Sequence, residues 1–114
     1  MPAYFAGRVL GDTGAVNTGA DFTAVRNGTG SYTLTLPVVA SGKFLMTVVT
    51  PTAFVRAGTP WTIPDTRTIS ARVVSDSRSA SAPKLTTVVV MLFDANGVAQ
   101  DCDFEFIAVE RSGT

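Results

Sequence analysis

The sequence predicts an all-β domain, an antiparallel two-sheet β-sandwich of jelly-roll type with about eight strands. Three observations carry that prediction. Valine and threonine supply 31 of the 114 residues, while glutamate, glutamine and lysine supply only 5. β-Branched side chains fit a pleated surface, and the scarce residues are straight-chain helix formers. Short runs alternate polar and apolar residues with period two, and turn signals recur at close, fairly regular intervals. Residues 1–114 read as a single domain, with no composition shift, linker or 20–50-residue repeat to divide them. That length buries a core without disulfide staples.

The elements follow in order. Tyr4–Leu10 is the first strand, ended by Gly11-Asp12-Thr13-Gly14, where glycine accepts the backbone angles of a tight turn. Asp21–Arg26 is a short second run anchored by Phe22, and Asn27-Gly28 reads as a hairpin turn because both residues tolerate positive φ. Ser31–Leu36 alternates cleanly: Tyr32, Leu34 and Leu36 face a core, and Pro37 stops the strand. Lys43–Thr50 puts Phe44, Met46 and Val48 on one face and Leu45, Thr47 and Val49 on the other. Between Pro51 and Pro64 the prolines break the pattern, leaving a short strand at Phe54-Val55-Arg56 and an irregular stretch with Trp61 and Ile63. Thr66–Val74 opposes Ile69, Ala71 and Val73 to Ser70 and Arg72. Residues 75–83 read as a small, polar, mobile loop. Leu85–Phe93 is apolar on both faces from Val88 onward, so something covers each side. Asp94-Ala95-Asn96-Gly97 is a turn. The last strand, Asp103–Val109, sets Phe104, Phe106 and Ala108 against Glu105, Ile107 and Val109.

Composition narrows function by exclusion. The chain lacks histidine, which removes the histidine-based catalytic triad and dyad and the histidine-ligated metal site. One cysteine allows neither an internal disulfide nor a cysteine-cluster zinc site. Nine basic residues balance nine acidic ones, a poor footprint for nucleic acid or anionic lipid. Val88–Phe93, the longest apolar run, is far short of a membrane span. Met1-Pro2-Ala3-Tyr4 does not open a secretory signal. The expectation is a structural or binding module: no enzyme, no cofactor, no nucleic-acid partner and no membrane insertion.

Two blocks carry a resemblance. The first runs from Gly19 to Leu36 and contains Phe22-Thr23, Arg26, Gly28-Thr29-Gly30 and Tyr32-Thr33-Leu34-Thr35-Leu36. The second runs from Asp94 to Val109 and contains Gly97, Asp101, Phe104 and Phe106-Ile107-Ala108-Val109. The chain resembles the small β-sandwich heads of bacteriophage tail fibres and head fibres and of related bacterial fibre tips. There a GxFTxxRxGTGxYTLTF block opens the sandwich and a DxxGxxxDxxFxFIAVG block closes it. Glu110 stands where the final glycine is common. The architecture is similar to the complement C1q and tumour-necrosis-factor jelly roll, which assembles as a trimer. The resemblance implies a homotrimeric virion structural protein, exposed on the particle surface and assembled in the host cytoplasm, with capsid or tail proteins as partners. The sandwich begins almost at Met1 with no stalk before it, which suits a capsid decoration or small appendage subunit. The other reading is a receptor-binding adhesin head that meets a host-surface glycan or protein through the 51–66 and 75–83 loops.

The residues offer four candidate features. Asp101, Asp103 and Glu105 at i, i+2 and i+4 share one strand face, a pattern for a hard cation or, more remotely, for paired carboxylates in glycoside hydrolysis. Against both stands a solvated face salted by arginines such as Arg72. Val88, Val90, Leu92, Ile107 and Val109 carry more apolar surface than one sandwich requires and are the expected oligomer interface, with ordinary burial between the two sheets as the alternative. Phe54 and Trp61 are aromatic anchors for docking or ligand contact, with burial of the loop on its own core as the alternative. Cys102, between two aspartates, is expected to be an inert thiol.

Overall fold

The period-two runs fold into two stacked antiparallel sheets. The computed structural model describes residues 4–19, 21–36, 43–53, 58, 61–78 and 86–112. Among these, eight strands form: β1 (Tyr4–Val9), β2 (Val16–Gly19), β3 (Thr23–Gly28), β4 (Ser31–Leu36), β5 (Lys43–Pro51), β6 (Ser70–Arg78), β7 (Thr86–Phe93) and β8 (Phe104–Ser112). One sheet has the order β2-β1-β8-β5 and the other β3-β4-β7-β6. Strands distant in sequence lie side by side, β1 with β8 and β4 with β7. This nested pairing winds the two chain halves together as a jelly roll does.

Alternation decides what is buried. On β4, Tyr32, Leu34 and Leu36 are fully buried, and on β8, Phe104, Phe106 and Ala108 meet them from the other sheet. Tyr32 packs on Phe104 with ring centroids 5.1 Å apart, and Phe22 meets Phe106 edge-on at 4.8 Å. Ile69, Ala71 and Val73 pack against the same core.

Four local expectations are corrected. The β3–β4 turn is Thr29–Gly30, because Gly28 already pairs with Ser31. Asn27 is the extra residue of a register shift between Arg26 and Gly28. Gly30 takes φ 68°, and a Cβ there would lie 2.7 Å from the Leu92 carbonyl oxygen, so only glycine fits. β2 was missed: all four of its residues are exposed, so it carries no apolar period. Its place depends on close approach, since a Cβ on Gly7 would fall 2.6 Å from the Phe22 ring. Residues 75–78, expected in a loop, continue β6, whose Arg78 pairs with Thr86. Thr66–Thr68 is a 3₁₀ turn rather than strand, capped by the Asp65 carboxylate accepting from the Arg67 N–H at 3.1 Å. The expected strand at Phe54–Arg56 and residues 79–83 lie outside the described residues.

Candidate functional site

Asp101, Asp103 and Glu105 do not form one cluster. Asp101 and Asp103 precede β8, and Glu105 is the second residue of that strand. Each carboxylate faces its own partner. Asp101 accepts from Arg26 Nη2 at 2.9 Å and from the Gly30 backbone N–H at 2.7 Å. Asp103 is buried and accepts the Gly11 N–H at 2.6 Å. Glu105 lies on the outer face and pairs with Arg8. The cation reading is therefore corrected: the three carboxylates are divided among a guanidinium, backbone amides and a second guanidinium. Among the described residues no group of three or more Cys, Asp or Glu side chains is arranged to hold a metal ion.

The Asp101 contacts form a network between the sheets. The Tyr32 hydroxyl lies 2.6 Å from the Gly11 carbonyl oxygen and 3.1 Å from Asp101 Oδ1, so its single proton serves one acceptor at a time. Burial first, and then the Asp101 charge, push the Tyr32 phenol well above its ordinary value. Hydrogen bonding to Asp101 raises the Arg26 guanidinium in turn. Burial, and then the Asp103 charge, push the Cys102 thiol up to about 11, which disfavours the reactive thiolate.

The five expected interface residues separate into two sets. Val88, Val90 and Leu92 are fully buried inside the sandwich, because the register pairs Val88 with Leu34 and Val90 with Tyr32. They are core residues and cannot reach a second subunit. The outward residues of β7 are Thr87, Val89 and Met91, each half-buried. Ile107 and Val109 do face outward on β8, with Ile107 43% exposed. The strand register puts Val48 and Ala6 on either side of Ile107, and Met46 beside Val109. Met46 and Val48 are more than half exposed. An apolar patch thus crosses β5, β8 and β1, and the Arg8–Glu105 ion pair borders it in the next cross-strand row.

A groove of about 750 Å³ opens at the loop end of the sandwich, and Trp61 lines it. Three stretches of chain converge there. The β1–β2 turn brings Asp12; the segment before β6 brings Trp61, Pro64, Asp65 and Ile69; the β7–β8 connection brings Asp94 and Gln100. Each is held by its own local bonds. The β1–β2 turn is closed by the Gly14 N–H donating to the Leu10 carbonyl at 2.8 Å. Asp94 Oδ1 accepts from the Asn96 and Val98 N–H groups at 2.8 and 3.0 Å, a self-capped turn. Asp65 holds Arg67 through both carboxylate oxygens, and hydrogen bonds from Arg67 lower its pKa. The Gln100 amide donates to the Asp101 carbonyl at 3.0 Å, which orients its head.

Trp61 was expected as a contact residue and is half-buried in this groove, while Phe54 lies outside the described residues. Sequence reasoning missed Asp12, Asp65, Asp94 and Gln100 as its neighbours. The turns at Asp12 and Asp94 were legible, but their meeting with Trp61 follows from the crossing of the chain between sheets.

Comparison with protein-family models, with curated proteins and with solved structures gives no match to this chain.

Proposed function

We propose that this chain is a structural subunit of a bacteriophage virion, a self-associating β-sandwich carried on the particle surface. The observation that carries the self-association is the contiguous apolar patch of Met46, Val48, Ile107 and Val109 on one outer sheet face. Apolar side chains placed across three adjacent strands make a flat surface that gains by being covered. A homotrimer with closed cyclic symmetry buries one such patch per subunit. The virion assignment rests on the resemblance of residues 19–36 and 94–109 to fibre-head blocks. The role is mechanical: apolar assembly, docking onto capsid or tail proteins, and loops turned outward. The three acidic residues that suggested paired-carboxylate chemistry instead meet separate partners. Mass spectrometry of purified virions tests the assignment. The chain is expected at a stoichiometric copy number, and its absence from washed particles overturns the reading.

A second reading has its own observation. The Trp61 groove is the size of a small-ligand site, a few hundred to about a thousand Å³. It favours a head that also contacts a host-surface receptor. Binding of purified protein to host cells tests this separately from virion incorporation.

A further inference from the structure

We propose that Asn96-Gly97 is a site of self-modification: in the folded chain it closes a backbone succinimide and opens to aspartate and isoaspartate, while the same dipeptide at Asn27-Gly28 is protected. Water is the only co-reactant, and the chemistry is independent of the virion and receptor readings.

Asparagine is a thermolabile residue, and a following glycine, with no Cβ, leaves its own backbone nitrogen open to the asparagine carboxamide carbon. The step balances without a redox partner. The Gly97 nitrogen loses its proton to solvent base and bonds to Asn96 Cγ. The carboxamide nitrogen takes up a proton and leaves as ammonia. Water then adds to one of the two imide carbonyl carbons and that carbon–nitrogen bond breaks. Breakage at Cγ gives aspartate, and breakage at the backbone carbonyl carbon gives isoaspartate.

The chain has three asparagines, and the fold treats each differently. Asn17 is exposed on β2, but Thr18 follows it, and a branched side chain crowds the attacking nitrogen. Asn27 has glycine after it, yet its carboxamide donates to Thr33 Oγ1 at 2.7 Å. The residues on either side of it pair with β4, Arg26 with Tyr32 and Gly28 with Ser31. An anchored carboxamide on a paired backbone resists the rotation that closes the ring. Asn96 stands exposed at the turn after β7. Among the described residues its carboxamide has no hydrogen-bond partner, and only its backbone N–H is held, by Asp94 Oδ1 at 2.8 Å. The Gly97 N–H rests on the Asp94 carbonyl at 3.0 Å, so attack follows local opening of the turn. An exposed turn opens far more readily than a pair of strands.

The products change this end of the sandwich. Aspartate at position 96 adds a negative charge two residues from Asp94. Isoaspartate adds a backbone methylene inside the span that Asp94 Oδ1 bridges, so its bonds to the N–H groups of residues 96 and 98, at 2.8 and 3.0 Å, no longer fit together.

Arg26 and Lys43 separate the asparagines in sequence, so trypsin places each on its own peptide. The test holds the purified full chain in warm, mildly alkaline buffer for several weeks and reads the tryptic peptides by mass spectrometry, with synthetic isoaspartate peptides as standards. The Asn96 peptide is expected to convert, with isoaspartate the larger product, and the Asn27 and Asn17 peptides to convert at least tenfold more slowly. In guanidinium chloride the two Asn-Gly pairs are expected to convert at similar rates, since the fold alone shields Asn27. Thr33→Val keeps the strand residue branched and removes the acceptor, and is expected to speed Asn27 conversion several-fold. An Asn96 that stays intact in the folded chain while converting in the denatured one, or an Asn27 that converts as fast as Asn96 in the folded chain, overturns the proposal.

Discussion

Arg26 Nη2 lies 2.9 Å from Asp101 Oδ2 and ties β3 to the connection that leads into β8. β3 and β8 belong to opposite sheets, so this ion pair pins the crossing connection to the β3-β4-β7-β6 sheet before the chain enters β8. Asp101 also takes the Gly30 N–H of the β3–β4 turn, and Tyr32 reaches both Asp101 and Gly11. One carboxylate thereby holds the β3–β4 turn and a guanidinium, beside a buried phenol. Removing it strands several donors at once.

Asp101→Ala is therefore expected to cost about 2–4 kcal/mol in urea unfolding, more than Arg26→Ala. The reason is the asymmetry of the network: loss of Arg26 leaves Asp101 its amide and hydroxyl donors, while loss of Asp101 strands both the Gly30 N–H and the Arg26 guanidinium. Equal costs for the two variants would contradict the shared role of Asp101.

Phe106 tests the face assignment of β8. It is 4% exposed and meets the Phe22 edge. Phe106→Ala is expected to destabilise by about 3–5 kcal/mol, the usual range for emptying a buried aromatic position. Ile107→Ala, on the opposite face, is expected to change monomer stability by less than about 1 kcal/mol.

Stability is expected to fall in alkali. The Cys102 thiol is raised from 9.0 to about 11 by folding, and the Tyr32 phenol is raised from 10.0. The native state keeps these protons where the unfolded chain releases them, so their contribution is full below about pH 9 and is lost as pH rises through the folded values. Cys102 alone accounts for about 2–3 kcal/mol by pH 11. Urea midpoints measured between pH 7 and 11 check the slope. Tyr32→Phe is expected to flatten it above pH 10, and a profile flat to pH 11 in wild type would show that neither group is buried as described.

Much of the fold was legible because alternation was clean. Ser31–Leu36 announced both a strand and its buried face, and Phe104–Ala108 did the same. Val88–Leu92 was misassigned for the opposite reason: a strand apolar on both faces has no period to show which side meets the core. Only pairing with Tyr32 and Leu34 decides that. β2 was invisible because Val16–Gly19 buries no side chain, and glycine contacts with Phe22 position it. Trp61 stood out as a single large aromatic among prolines. Its acidic neighbours did not, because Asp12 and Asp94 each read locally as turn residues and come together only through the sandwich winding.

Self-association through the outer face of the β2-β1-β8-β5 sheet is the central claim, and sedimentation equilibrium of the purified chain tests it most directly. At tens of micromolar the expected mass is three times 11.9 kDa. Val48→Lys and Ile107→Lys, cross-strand neighbours on the apolar patch, are expected to return a folded monomer. A wild-type chain that sediments at 11.9 kDa across that concentration range would contradict the account.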